Sequence, residues 1–125
     1  MNVSRNFLVL ASLFLIVGIT IGSYMGGSGD HTLAVSHAHI NLLGFTLSAI
    51  FALTYKAFPA MADSRLASLH FWLHAVGAVV LNTMLFLMLA GMVTEAAMFP
   101  IAPITELLVL LGTIIFAWNV FSNAH

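Results

Sequence analysis

Six histidines stand in a chain of 125 residues that holds only 3 Lys+Arg and 4 Asp+Glu. Imidazole is the commonest side-chain metal ligand and an acid–base group near neutral pH. His31, His37 and His39 form one group, His70 and His74 another, and His125 stands apart. On a helix, at about 100° per residue, His37 and His39 point about 200° apart. One of them therefore faces a bundle interior and the other faces out. His39 lies deeper in its apolar run and is the expected ligand. His70 and His74 are four apart and share a helix face. Gly77 continues that face one turn on and leaves room for a bulky group. Asn82 and Glu106 add polarity to the same apolar stretches. Three uses fit these residues: axial ligation of haem iron, a copper site built from His and Met, or plain hydrogen bonding to carbonyls and amides.

Other chemistry finds no support. Zero Cys rules out disulfides, thiolate zinc sites and Fe–S clusters. No Ser-His-Asp set, phosphate loop or carboxylate pair emerges, so no residue is assigned a catalytic role. The run from His70 to His74 lacks the glutamate of the helical zinc signature. With 62% apolar residues and 6% charged, the chain cannot cover a soluble surface. A net charge of −1 offers no field for nucleic acid.

These residues must therefore be positioned by helices in a bilayer. A hydrocarbon core of about 30 Å needs roughly 20 apolar residues per span. Four segments qualify, at about 7–25, 37–58, 66–92 and 104–121. The Gly26–Asp30 run, Phe58-Pro59, and Pro100 with Pro103 mark the breaks, and Asp63-Ser64 is the expected cap of the third helix. The expected fold is all-α: a single transmembrane domain over 1–125, an up-down four-helix bundle with short loops. The first span reads as a retained helix, because no small-residue cleavage site follows it. Arg5, Lys56 and Arg65 all fall on one side, which places both termini in the cytoplasm. Tyr24, Tyr55, Trp72 and Trp118 lie near helix ends, as an aromatic belt requires. Gly18, Gly22 and Gly26 on the first span, and Gly44, Ser48 and Ala52 on the second, form small-residue ridges for close helix contact. The seven Met serve mainly as gap-fillers.

In this layout the two His groups sit at different depths. His39 is about 30 Å from the Pro59 end of its helix, whereas His70 and His74 lie within two to three turns of that end. One chain cannot bring both groups to one metal. His39 is the expected metal ligand of the outer group and His74 of the inner one. A second ligand at the His39 level would come from another copy or from Met25, Met88 or Met92.

The residues from Ser36 through His37, His39, Asn41-Leu42-Leu43-Gly44 and on to Tyr55 and Pro59 resemble a helix of the haem-copper oxidase superfamily's catalytic subunit. The likeness is strongest to the nitric oxide reductase branch. There a His followed shortly by Asn-Leu-Leu opens a core helix that ends in aromatic residues and Pro. His70-Phe71-Trp72 through Gly77 resembles the next helix, and the likeness extends over about 36–92. The resemblance implies that His39 is an axial ligand of a low-spin haem b, with Asn41 its local companion and His37 a neighbour. The family's second haem ligand, its copper ligands and its high-spin haem ligand lie on later helices without counterpart among these 125 residues.

The leading expectation is thus a haem-b-binding protein of a bacterial inner membrane, active in electron transfer, gas binding or haem handling rather than as an enzyme. It would work as a homo-oligomer or within a larger respiratory complex. Cofactor-contacting residues are expected at His37, His39, Asn41, His70 and His74. Copper binding by His31, His37 and His39 with Met25, Met92 and Met98 is the alternative. A non-catalytic accessory subunit with purely structural histidines is the third reading.

Overall fold

The computed structural model describes all 125 residues and contains only helices and their connections. Helix α1 spans Val3–Ser28, α2 Ala34–Ala57, α3 Pro59–Asp63, α4 Arg65–Leu89 and α5 Ile101–Asn123. A single 3₁₀ turn, Ala96–Met98, interrupts the last connection. Helices α1, α2, α4 and α5 are each long and apolar enough to cross a membrane.

Local chemistry fixes the ends. The Asn2 side chain accepts from the Arg5 amide at 3.0 Å, so α1 starts four residues before the apolar run at Phe7. Gly29 closes α1 in the left-handed conformation, at φ 72°. Phe58 is extended ahead of Pro59, which opens the short α3. Ser64 caps α4, accepting from the Leu66 amide at 3.2 Å. That helix stops at Leu89 rather than at Met92, because Gly91 turns the chain at φ 76°. Beyond α1, Asp30 accepts from both the amide and the hydroxyl of Thr32. These bonds, the side-chain one first, hold the Asp30 carboxyl below its ordinary pKa of 3.8.

Consecutive long helices run antiparallel. Glycines show the register, because each admits a neighbour where a Cβ would collide. Gly18 receives Asn41, Gly22 receives the His37 ring and Gly44 receives the Phe14 ring, so α1 and α2 lie in close contact. Gly77 lies against Val109 and Thr105, and Gly112 lies against Leu73 and His74, which pairs α4 with α5. Gly26, also expected in the α1 ridge, has no neighbour within 4 Å. The two hairpins meet at Tyr55–His70 and Ser48–His74. Both termini thus lie at one end of the bundle, where Val3 and Val120 share a core cluster with Phe7, Phe51, Phe71 and Met61. A smaller cluster of Ile21, Met25 and Ile40 closes the other end.

The outside is apolar. Leu13, Leu42, Leu53, Trp72, Ile114 and Trp118 are all exposed. A helical bundle satisfies its backbone internally, so such a surface suits a hydrocarbon solvent. Tyr24, Trp72 and Trp118 face out as belt residues should, whereas Tyr55 is 1% exposed and belongs to the interior.

Candidate functional site

Helix α2 is irregular where the motif residues lie. From Ile40 to Thr46 it widens into a π-helix. The Leu47 amide reaches back five residues to the Leu42 carbonyl, and the Thr46 hydroxyl donates to the Asn41 carbonyl at 2.9 Å. Such widened turns occur often at functional positions.

The turn separates two histidines with opposite fates. His37, not His39, faces the interior. Its Nδ1 donates to the Gly18 carbonyl at 2.8 Å. Its Nε2 accepts from the Asn41 amide at 3.2 Å. Both nitrogens are therefore engaged, and the ring serves as a tie between α1 and α2. Asn41 is oriented by His37 rather than by His39, and its Oδ1 receives no hydrogen bond.

His39 faces outward. Its Nδ1 lies 3.0 Å from the carbonyl of Val35, one turn back on the same helix. A carbonyl only accepts, so Nδ1 carries a proton, and Nε2 is the nitrogen that can offer a lone pair. The ring is exposed. Beside it lies a groove of about 330 Å³ lined by His39, Leu42, Leu43, Thr46 and Leu47. Depth in the apolar run favours an inward His39; the wider turn and the α1 contacts of His37 put the ring on the perimeter instead.

The second pair is sealed in. His70 is fully buried and His74 is 1% exposed. Tyr55 and the His70 Nδ1 share a 2.9 Å hydrogen bond, while His70 Nε2 has no partner. Phe7, Phe51 and Phe116 pack around the His70 ring, with centroids 5.0, 4.4 and 5.2 Å away. The Ser48 hydroxyl donates to His74 Nε2 at 3.2 Å, and the Leu43 backbone is that ring's other polar neighbour. The two ring centroids are 6.1 Å apart. Asn119 adjoins Tyr55, donates to the Met61 carbonyl at 3.0 Å and accepts from Asn123 at 2.8 Å.

Each expected ligand can now be placed. His70 and His74 do lie on one face, as their spacing requires, but aromatic rings fill the space expected beside them. Gly77 opens toward Val109, not toward a cavity. No three His, Asp or Glu side chains converge anywhere, so His31, His37 and His39 do not gather in one cluster. Glu106 is exposed. Sequence reasoning missed Tyr55 and Ser48 as partners of the inner histidines, and Asn119 as a neighbour of Tyr55. The positions of Tyr55 and Ser48 on α2 fall at the depths of His70 and His74, which was the available signal. The chain matches no protein-family model, no curated protein and no solved structure.

Proposed function

We propose that this protein binds haem b through His39 in a bacterial inner membrane, with both termini in the cytoplasm. The observation that carries the reading is the state of the His39 ring. Its Nδ1–H is anchored on the Val35 carbonyl, which leaves Nε2 of the exposed ring as the nitrogen for iron. A hydrogen bond of this kind, made by the nitrogen that does not bind the metal, fixes the tautomer and orientation of a metal-binding imidazole. The other histidines within the long helices do not meet the requirement: His37 has both nitrogens engaged, and His70 and His74 are enclosed.

The resemblance of residues 36–59 to the haem-binding helix of the haem-copper oxidase superfamily supports the same residue. The groove of Leu42, Leu43, Thr46 and Leu47 gives a macrocycle an apolar wall beside that ring. Bound haem supplies redox change or gas ligation at iron. The chain supplies one nitrogen, an apolar surround and a fixed ring plane. Because His39 lies on the perimeter, the far side of the haem would be closed by a second copy or by a larger respiratory complex. A second imidazole favours electron transfer; an open sixth position admits a gas.

Arg5, Lys56 and Arg65 lie at the end that holds the termini, which supports the cytoplasmic orientation. The test is the visible spectrum of the detergent-purified protein, oxidised and then reduced with dithionite. A Soret band and a sharp reduced α band are expected. A colourless protein, with or without stoichiometric copper, would overturn the proposal.

A further inference from the structure

Glu106 stands on the outside of α5. It lies five residues in from Ile101, where that helix starts, or about 7.5 Å. Exposed Ile101 and Ile104 precede it, and exposed Leu107 and Leu110 follow it, so its surround is apolar. The nearest hydroxyls on α5 are engaged elsewhere. Thr105 donates to the Ala102 carbonyl and Thr113 to the Val109 carbonyl, each at 2.9 Å. Arg5, Lys56 and Arg65 lie at the opposite end of the bundle. An ionisable group at membrane depth pairs with another.

Three histidines share its end of the bundle, and only one is at hand. His37 has both nitrogens engaged. His31 lies in the loop, with Nδ1 on the Gly29 carbonyl. His39 lies five residues in from Ala34, the start of α2, and so at the depth of Glu106. Exposed Val35 and Leu42 flank it.

The two residues also edge one flank. The groove beside His39 includes Leu43, whose backbone adjoins His74, so it turns toward the α4–α5 hairpin rather than toward α1. On α5, Gly112 abuts His74, and Phe116 packs on Phe51 of α2 with centroids 4.7 Å apart. At 100° per residue, Glu106 lies about 80° beyond Phe116, on the side away from Gly112. It therefore stands on the α2 side of its helix. No residue of α5 lines the groove beside His39, so the two groups frame an open face. A two-fold axis along the membrane normal, set between α2 and α5, keeps each residue at its depth and exchanges left with right. It brings each His39 opposite the Glu106 of a second copy.

We infer that two haem-free chains pair side by side through this α2–α5 face, each His39 Nε2 bonding the Glu106 carboxyl of the other copy. The shared proton comes from a neutral acid or from a charged ring, and the same two atoms are joined either way. Nε2 takes one partner at a time, so the contact belongs to haem-free chains, and its test does not depend on iron.

The experiment is Förster transfer between donor- and acceptor-labelled haem-free full chains in phosphatidylcholine vesicles. Each dye sits on a His125→Cys thiol, the only one in the chain. Transfer should rise with protein-to-lipid ratio to a plateau, and unlabelled parent should compete it away. His39→Leu and Glu106→Leu should each move the midpoint to about tenfold higher protein density, the effect of two interhelical hydrogen bonds. An equal mixture of the two variants keeps one His39–Glu106 pair in each mixed dimer, so its midpoint should move only about threefold. Misfolded chains cannot rescue each other, so the mixture also controls for folding. Parent chains that stay single, as when lipid or a different subunit covers the face, would overturn the inference. So would an unmoved midpoint in either variant, or a mixture no better than the variants alone.

Discussion

Tyr55 and His70 share a 2.9 Å hydrogen bond across the α2–α4 contact, and neither side chain reaches the surface. This bond joins the two hairpins where the core is most aromatic. Phe7, Phe51 and Phe116 enclose it, so no water can replace a lost partner.

Tyr55→Phe keeps the ring and removes the hydroxyl. His70 then has neither nitrogen satisfied. Interhelical hydrogen bonds in bilayers contribute about 0.5–2 kcal/mol, and the variant should lose that much stability. Thermal unfolding in detergent measures it; an unchanged midpoint would show that the bond contributes nothing.

Close approach of α1 to α2 depends on Gly44, against which the Phe14 ring lies directly. Gly44→Val forces that ring aside, at a cost of about 1–3 kcal/mol for overpacking. Gly26→Ala meets open space and should stay within about 0.5 kcal/mol of the parent. Denaturation of the two variants side by side would contradict the packing if their order were reversed.

Asp30 offers a pH test outside the helices. Thr32 holds its carboxyl below 3.8, so the carboxylate's stabilising effect is present above that value and is lost as pH falls through the lowered folded value. No change is expected between pH 5 and 8. Carboxyl carbon shifts followed by NMR should show Asp30 titrating low, and Thr32→Ala should bring it back toward 3.8. Identical titrations in parent and variant would rule out the hydroxyl as the cause.

Much of this architecture is legible in the residues. Four long apolar runs broken at Gly29, Pro59 and Pro100 dictate four helices, because backbone groups in hydrocarbon must pair within each segment. The shared face of His70 and His74 follows from their spacing. The orientation of His37 and His39 does not. Spacing shows only that they diverge; which one turns inward depends on Gly18 and Gly22, some twenty residues earlier, leaving space for Asn41 and His37. The π-turn at Ile40–Thr46 is equally hidden, since it depends on tertiary contacts that alter helical pitch locally. Tyr55, near a helix end, reads as an interfacial aromatic, and only the packing of α2 on α4 reveals it as a buried partner.

His37 and His39 should respond oppositely to mutation. His37→Ala removes the tie to Gly18 and should lower stability by about 0.5–2 kcal/mol while haem content stays at the parental level. Loss of haem from a folded His37→Ala protein would assign the ligand to the wrong ring.

Imidazole rescue at His39 is the most direct check. His39→Gly leaves a gap where the ring stood, and the purified variant should lack the reduced α band of the parent. Adding free imidazole together with haem should restore that band. A His39→Gly protein that keeps its full haem spectrum without imidazole would remove His39 from the site.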